Sequence, residues 1–208
     1  MKLYTDPGAP NPRRLDCFLR YKNIELETQE VNLRDGENFA DWFQEINPAR
    51  TVPTLVLDDG TALVDTISIC VYLEKQFPDK PLFGNSVQEF AEILGWCHRL
   101  YVYGLDAVAE IFRNQGAFFK DRALPLKTVI KQNPDLLARG KLRLNDFWIE
   151  LETHLAGREF IVGNQISQAD IDAWLTCTFA KWVNETVPEE NKATAEWRAR
   201  VKSLVMPS

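Results

Sequence analysis

Two hydrophobic patterns alternate over the first 80 residues. Apolar residues at helical spacing predict helices, and short runs rich in Val, Leu and Thr predict strands. The predicted elements are, in chain order, a strand at 2–4, a helix at 12–21, a strand at 28–33, a helix at 39–46, strands at 52–57 and 61–64, and a helix at 66–76. A β-α-β opening favours parallel pairing, and Asp58-Asp59-Gly60 favours an antiparallel hairpin. The order βαβαββα therefore predicts an α/β domain with a mixed four-stranded sheet.

The pattern changes near residue 80. Residues 78–86 combine two prolines, a glycine and polar residues, which is typical of a linker. Everything after them has the periodicity of helices, predicted at 87–115, 136–155, 171–183 and 189–205. Ser167 and Asp170 fit the capping box that opens a helix. The sequence therefore predicts an all-α region over residues 87–208.

The strand predicted at 52–57 opens with Val52-Pro53. Proline offers no N–H to a β-ladder, so it belongs at an edge, a bulge or the first residue of a strand. Two interpretations remain open from the residues alone. The segment is a plain edge strand, or its backbone is kept available for another molecule to pair with.

Composition narrows the function classes. The chain has 208 residues, is 45% hydrophobic and 26% charged, and carries a formal net charge of −6, so it lacks the basic footprint of a nucleic-acid binder. It has no run of about 18 apolar residues, and its N-terminus lacks the apolar core of a signal peptide, so we expect a cytoplasmic protein without a membrane partner. The four cysteines form no C-x-x-C pair and are expected to be buried, reduced thiols. The two histidines, His98 and His154, stand far apart, so no metal site is expected.

Two stretches carry a resemblance to a known family. "NPARTVPTLVLDDGTALVDTISICVYLEKQF" and "FIVGNQISQADIDAW" resemble, in order and spacing, the signature and the C-terminal capping motif of the cytosolic glutathione transferase superfamily. The resemblance implies a thioredoxin-like glutathione-binding domain over 1–77, a linker over 78–86 and an all-helical domain over 87–208. It also implies a homodimer.

The resemblance assigns roles around the bound tripeptide. A cis bond between Val52 and Pro53 would let Val52 pair through its backbone with the cysteinyl unit of glutathione. Asp65 would hold the γ-glutamyl ammonium, and Thr66 would hold the γ-glutamyl carboxylate at a helix N-terminus. The alternative for Asp65 and Thr66 is simple helix capping. For the glycine end of glutathione, the sequence leaves Arg34, Arg50 and Lys75 open.

The residue that stabilises the glutathione thiolate would lie in the first loop, "DPGAPNPRR". Asn11 stands where several bacterial members have serine, and Pro10 replaces the neighbouring cysteine of others, which resembles an asparagine-type branch. The Asn11 amide can donate hydrogen bonds to a thiolate but cannot act as a proton-transferring base. The alternative is that Asn11 only caps the following helix, with Pro12 at its first position. Tyr4 is the runner-up for the catalytic role.

The resemblance predicts a glutathione S-transferase in which glutathione is the co-substrate and a hydrophobic electrophile or a disulfide is the second substrate. The alternatives are a glutathione-dependent disulfide reductase, a glutathione-dependent isomerase or dehalogenase, and a non-catalytic glutathione-binding module on the same fold. Aromatic and apolar residues of the first long helix either line a pocket for the electrophile or belong to the core or a dimer interface. They are Trp96, Leu100, Tyr103 and Phe112.

Overall fold

The computed structural model describes residues 1–124, 126 and 128–206. The chain divides into two compact units, Met1–Lys80 and Pro81–Ser208. Each unit is described by itself below.

The first unit has the predicted order of strands and helices. Its elements are β1 Lys2–Thr5, α1 Pro10–Lys22, β2 Glu27–Glu30, a 3₁₀ turn Glu37–Phe39, α2 Asp41–Ile46, β3 Thr54–Val56, β4 Ala62–Leu63 and α3 Thr66–Gln76. The strand order in the sheet is β2-β1-β3-β4. The β1–β2 pair is parallel, and the β1–β3 and β3–β4 pairs are antiparallel. The predicted thioredoxin-like domain with a mixed four-stranded sheet is therefore confirmed, although β3 and β4 are shorter than predicted.

The side chains of β1 alternate between two environments, because successive residues of a strand point to opposite faces of the sheet. Leu3 is buried, and Tyr4 packs against a cluster of Val31, Phe43 and Val52. Helices α1 and α3 pack against each other. The cluster packs β1 against α2. It also holds the segment that leads into β3, because Val52 belongs to it.

The second unit is helical. Its elements are α4 Val87–Leu100, a π-helical turn Tyr101–Leu105, α5 Asp106–Gln115, a 3₁₀ turn Ala117–Phe119, α6 Asp135–Leu155, α7 Gln168–Phe179, a 3₁₀ turn Ala180–Val183 and α8 Lys192–Val205. None of the helices in the described part of the chain is both long and apolar enough to cross a membrane.

The π-helical turn is the main departure from the predicted helix at 87–115. The backbone stays helical across this span, but its hydrogen bonding widens at Tyr101–Leu105. Arg143 of α6 donates to the carbonyl of Val102, within this turn. In a regular α-helix that carbonyl would be paired with a backbone N–H and would not need a side-chain donor. Gly104 lies close to α6, since a Cβ there would be 2.9 Å from the ring of Phe147. Tertiary packing, which the helical periodicity does not record, therefore sets this turn.

The capping box at the start of α7 is confirmed. The backbone N–H and hydroxyl of Ser167 donate to one carboxylate oxygen of Asp170, at 2.9 and 2.8 Å. The backbone N–H of Ile161 and the indole N–H of Trp197 donate to the other, at 2.9 and 2.8 Å. The Asp170 carboxylate therefore ties the start of α7 to the preceding loop and to α8.

Candidate functional site

The loop before β3 is fixed by side-chain hydrogen bonds. The amide of Asn47 donates to the carbonyl of Thr51 at 2.8 Å and to the hydroxyl of Thr54 at 2.9 Å. The Thr54 hydroxyl in turn donates to the Thr51 carbonyl at 3.0 Å. Within this loop the Val52–Pro53 peptide bond is cis, as the resemblance predicted.

Val52 keeps its backbone outside the sheet. The ladder of β3 begins at Thr54, and the described residues offer no hydrogen bond to the N–H or C=O of Val52. Its side chain belongs to the cluster with Val31 and Phe43, and the residue is only 7% exposed. Backbone polar groups in such surroundings are nearly always paired in proteins. The arrangement therefore leaves one donor and one acceptor to which a peptide-like ligand can pair.

The start of α3 has the features of an anion site. Asp65 is the N-cap residue, with φ −109° and ψ 137°, but its side chain makes no capping hydrogen bond. The first N–H groups of a helix lack partners within the helix and carry partial positive charge. Thr66 is the first helical residue and is buried, and its hydroxyl lies 3.5 Å from the carbonyl oxygen of Asn11. Because the Asp65 side chain does not cap, its carboxylate is available to a cationic group.

Asn11 does not cap α1, so that interpretation was wrong. The helix begins at Pro10, with Ala9 as its N-cap residue. The reason is local: a turn at Asp6, whose carbonyl accepts from Ala9 N at 3.0 Å, delivers the chain to Pro10. Proline suits the first helical position because its φ is already helical and its missing N–H is not needed there. Asn11 is therefore the second residue of the helix.

Arg14 orients the Asn11 amide. Its Nη1 donates to Asn11 Oδ1 at 2.9 Å, and Arg14 itself is buried. A guanidinium has no acceptor, so the amide oxygen must face Arg14. The Asn11 Nδ2 group, which carries both donor hydrogens, then points away from Arg14 and bonds to none of the described residues.

Tyr4 lies in an aromatic environment. Its ring centroid is 6.3 Å from those of Trp42 and Phe43, both in α2. The ammonium of Lys2 lies 5.5 Å from the same ring.

Ala9, just before α1, packs against the same cluster as Tyr4. The fold therefore brings the start of α1 toward Val52 through Ala9, and toward α3 through the Asn11–Thr66 contact.

The three residues considered for the glycine end of glutathione, Arg34, Arg50 and Lys75, differ in their surroundings. Arg50 precedes Val52 by two residues and donates through Nε and Nη2 to the Gln44 amide oxygen, at 3.0 and 2.8 Å. That partner is neutral, and the charge of Arg50 meets no carboxylate within the described ranges. Arg34 and Lys75 are exposed. Arg50 has a left-handed backbone with φ 58°, a local geometry that no sequence pattern had indicated.

The residues suggested for the second substrate lie in different surroundings. Leu100 is buried in the core, and Tyr103 is largely exposed. Trp96 lies with its ring centroid 4.1 Å from that of His154, at a surface groove of about 730 Å³. Phe112 stacks against other aromatic rings of the second unit.

Metal-binding clusters are absent where the structure can be described: no three His, Cys, Asp or Glu side chains there are grouped to hold an ion. All four cysteines are buried. Burial raises the pKa of the Cys177 thiol to about 12. That thiol therefore stays protonated at neutral pH.

Comparisons with known proteins match most of the first unit and also the chain as a whole. The family model "Glutathione S-transferase, N-terminal domain" matches residues 9–76. Glutathione S-transferase D7 of Drosophila melanogaster is 29% identical, over 98% of this chain and 90% of its own length.

Two solved structures extend the likeness to the fold of the whole chain. A glutathione S-transferase domain-containing protein from Marinobacter aquaeolei is 30% identical with a TM-score of 0.90, over 100% of this chain and 98% of that one. Gtt2 from Saccharomyces cerevisiae is 28% identical with a TM-score of 0.87, over 97% and 96% of the two chains.

Proposed function

The chain belongs to the glutathione S-transferase family, and from that premise we propose that it binds glutathione in its first unit and transfers it to an electrophilic small molecule. The observation that carries the proposal is the convergence of unpaired polar groups. The backbone of Val52 beside Pro53, the carboxylate of Asp65, the helix start at Thr66 and the Nδ2 group of Asn11 are all available to a ligand.

Each end of glutathione has complementary chemistry in this set. The Val52 N–H and C=O pair with the cysteinyl unit in the manner of an added strand. The Asp65 carboxylate binds the γ-glutamyl ammonium, and Thr66 with its N–H binds the γ-glutamyl carboxylate. We assign the glycine carboxylate to Arg50, because its half-buried guanidinium is held in place by Gln44 without being neutralised.

The catalytic role falls to Asn11. A free thiol has a pKa of about 8.5, so only about 3% of it is thiolate at pH 7. A donor aimed at the sulfur favours the thiolate and lowers that pKa. The orientation imposed by Arg14 supports Asn11 in this role, and the contacts of Tyr4 with α2 favour Asn11 over Tyr4.

The reaction is a nucleophilic substitution in the simplest case. The glutathione thiol loses its proton to solvent, and the sulfur lone pair forms a C–S bond with the electrophilic carbon. The C–Cl bond of a chloronitrobenzene then breaks, and chloride leaves with the electron pair. No metal is required for this step.

Calorimetric titration with glutathione tests the binding site. We expect saturable binding by the native chain and at least tenfold weaker binding by Asp65→Asn, because a charge-assisted bond is worth about 1.5–3 kcal/mol. Asp79→Asn is the matched control, since it removes a carboxylate from the same unit at an exposed position. An absence of binding by the native chain at millimolar glutathione would rule out the proposal.

The thiol pKa of bound glutathione, measured from thiolate absorbance against pH, tests Asn11. Asn11→Ala should raise this pKa with little loss of glutathione binding. Asn11→Asp keeps an oxygen for Arg14 but loses both donor hydrogens and adds a negative charge, so it should raise the pKa further. Equal pKa values in the three proteins would exclude Asn11. Turnover of hydroxyethyl disulfide without turnover of chloronitrobenzenes would favour a disulfide reductase instead.

The division into a glutathione-binding domain at 1–77, a linker at 78–86 and a helical domain at 87–208 stays a prediction. So do the homodimer and the cytoplasmic location.

A further inference from the structure

The guanidinium of Arg50 is held in place by two residues of the first unit. Its Nε and Nη2 both donate to Oε1 of Gln44, at 3.0 and 2.8 Å. The Gln44 amide is itself oriented, because its Nε2 donates to the carbonyl of Phe39 at 2.7 Å. The ring of Phe39 also lies against the cation, with its centroid 5.4 Å from the guanidinium carbon. Gln44 and Phe39 together therefore fix the position of this cation.

Gln44 occupies one edge of the guanidinium and leaves the other edge open. A guanidinium presents five N–H donors in a planar fork. The edge formed by Nε and Nη2 bonds to Gln44, and the edge formed by Nη1 and Nη2 bonds to none of the described residues. No nitrogen of Arg50 is among the buried, unpaired side-chain atoms of the described chain, so the open edge reaches solvent. A carboxylate fits such an edge through both of its oxygens.

The charge of Arg50 is left intact by this arrangement. Gln44 supplies a polar atom without a charge, whereas a carboxylate in the same place would form an ion pair with the guanidinium. The neutral partner therefore orients the cation without weakening its attraction for an anion at the open edge.

The backbone of Arg50 is strained and is held on both sides. Its φ of 58° is left-handed, a conformation that glycine adopts at less cost than arginine does. Its N–H donates to the carbonyl of Asn47 at 2.9 Å, and its carbonyl accepts from Nδ2 of Asn38 at 3.1 Å. Asn38 is only 6% exposed. An arginine therefore stands where the backbone alone favours glycine, which points to a role for its side chain.

We propose that Gln44 is a positioning residue that reserves the open edge of Arg50 for a carboxylate. Through this edge the protein selects thiol peptides that end in a free carboxylate over those in which the same end is an amide or an ester. The inference rests on the proposed function, in which the backbone of Val52 binds the cysteinyl unit and the glycine end of glutathione reaches Arg50.

Calorimetry with glutathione and with glutathione amide tests the selection, because the two ligands differ in charge and hardly in size. The native chain should bind glutathione at least tenfold more tightly than the amide, as expected when a charge-assisted bond is replaced by a neutral one. Arg50→Gly should reduce this preference to about twofold or less. Glycine adopts a left-handed φ without strain, so the thermal midpoint of this variant should change little.

Two substitutions test Gln44 while Arg50 stays in place. Gln44→Glu puts a carboxylate beside the guanidinium and should reduce the preference to about twofold or less. Gln44→Met removes the acceptor and leaves the charge, so it should keep part of the preference. Gln76→Glu, exposed at the end of α3, adds the same charge as Gln44→Glu, and Arg34→Met removes an exposed cation of the same unit. Both control variants should keep the native preference.

Equal affinity of the native chain for the two ligands would overturn the selection. An unchanged preference in Gln44→Glu would overturn the role of Gln44, and so would an equal loss in Gln76→Glu, which would indicate a general charge effect. Circular dichroism and the thermal midpoint identify a misfolded variant, and Gln44→Met then decides the role of Gln44. A native chain that binds neither ligand would overturn the proposed glutathione site together with this inference.

Turnover of 1-chloro-2,4-dinitrobenzene separates positioning from damage to the reacting centre. Gln44→Glu should raise the KM for glutathione about tenfold and change kcat by less than about twofold, because the interaction at the glycine end is the same in the ground state and the transition state. A fall in kcat as large as the rise in KM would contradict the positioning role. Absence of turnover by the native chain would overturn the transferase function alone, since the titrations still decide the selection.

Discussion

The buried carboxylate of Asp170 holds three segments of the second unit together. It accepts four hydrogen bonds, from Ser167, Ile161 and Trp197, and it has no exposed surface. Burial raises the pKa of its carboxyl, and the four donors oppose that effect. The residue therefore joins the start of α7, the loop before it and α8 at one point.

We expect Asp170→Asn to destabilise the protein by about 2–4 kcal/mol, because an amide NH₂ would face donors and leave at least one of them buried and unpaired. Chemical denaturation monitored by tryptophan fluorescence measures the free energy of unfolding. Asp146→Asn, at an exposed position on α6, should change it by less than about 0.5 kcal/mol. Similar values for the two variants would contradict the organising role of Asp170.

At the residue scale, the sequence predicted what depends on neighbours in the chain and missed what depends on the fold. The Ser167–Asp170 box was recognisable from its local motif, and the cis Val52–Pro53 bond was predicted from the family resemblance. The role of Asn11 as a helix cap was wrong because Pro10 also satisfies the rules for a first helical residue. The contact of Arg50 with Gln44 was not predictable from the sequence, because it belongs to a turn in which Arg50 has a left-handed backbone.

At the scale of elements, a buried ion pair fastens the ends of α1 and α3. The Lys22 ammonium donates to Glu74 Oε2 at 2.7 Å and to the carbonyls of Asp79 and Lys80 at 2.7 and 3.2 Å. The side chain of Lys22 is 0% exposed. Its donors are all used within the first unit, so the pair also holds the last residues of that unit.

Lys22→Met should lower the free energy of unfolding by about 3–5 kcal/mol, because it leaves Glu74 buried without its cation. The double variant Lys22→Met with Glu74→Gln also removes the buried negative charge and should recover at least half of that loss. Denaturation midpoints of the two variants give the comparison. A double variant less stable than Lys22→Met would contradict this account.

A carboxylate from α6 accepts hydrogen bonds from the start of α8. Glu152 accepts from the N–H groups of Ala193 and Thr194, at 3.0 and 2.8 Å, and from the Thr194 hydroxyl at 2.7 Å. These groups lie in the first turn of α8, where N–H donors lack partners within the helix. Burial alone would raise the pKa of Glu152, but the hydrogen bonds from Thr194 and Ala193 outweigh it and lower the pKa.

Glu152→Gln should therefore reduce stability by about 1–2 kcal/mol at pH 7, as the loss of a helix cap does. A depressed pKa means that the contribution is present above the unfolded value of about 4.3 and is lost as the pH falls through the folded value. The difference between native chain and variant should shrink below about pH 4. Glu196→Gln, exposed on α8, should show little difference at any pH. A gap that widens on acidification would contradict the assigned pKa direction.

Among the elements, type and order were predictable from periodicity, and their ends were less so. Helix α8 begins at Lys192 and not at 189, because its first turn is satisfied by Glu152, which is distant in the chain. Sequence periodicity cannot register such a partner.

At the scale of the whole molecule, the fold class followed from the change of pattern near residue 80, because each kind of element has its own hydrophobic period. The hydrophobic pattern does not indicate the oligomeric state. The family resemblance predicts a homodimer, and α6 presents Leu142 and Ile149, each 67% exposed and seven positions apart, on one face.

Sedimentation equilibrium at micromolar concentration should give twice the chain mass of 23.9 kDa. Ile149→Glu places a charge on the exposed apolar face of α6 and should shift the equilibrium toward the single chain, since an unpaired charge is costly to bury. Leu204→Glu makes the same kind of apolar-to-acidic change at an exposed position of α8, and this control should leave the mass unchanged. A native chain that sediments at 23.9 kDa would contradict the dimer.

The π-helical turn has a consequence for the lengths that the chain can tolerate. A turn of this kind contains about one residue more than an α-helical turn. Helices α4 and α5 therefore keep their orientation about the helix axis, although the turn between them holds an extra residue. Deleting one residue from Tyr101–Leu105 while retaining Gly104 can be absorbed by closing that turn into a regular one. The same deletion in the middle of α6 would rotate all later side chains by about 100° and move its apolar stripe out of the core. Natural variation in helix length, and engineered changes of it, should therefore concentrate at this turn.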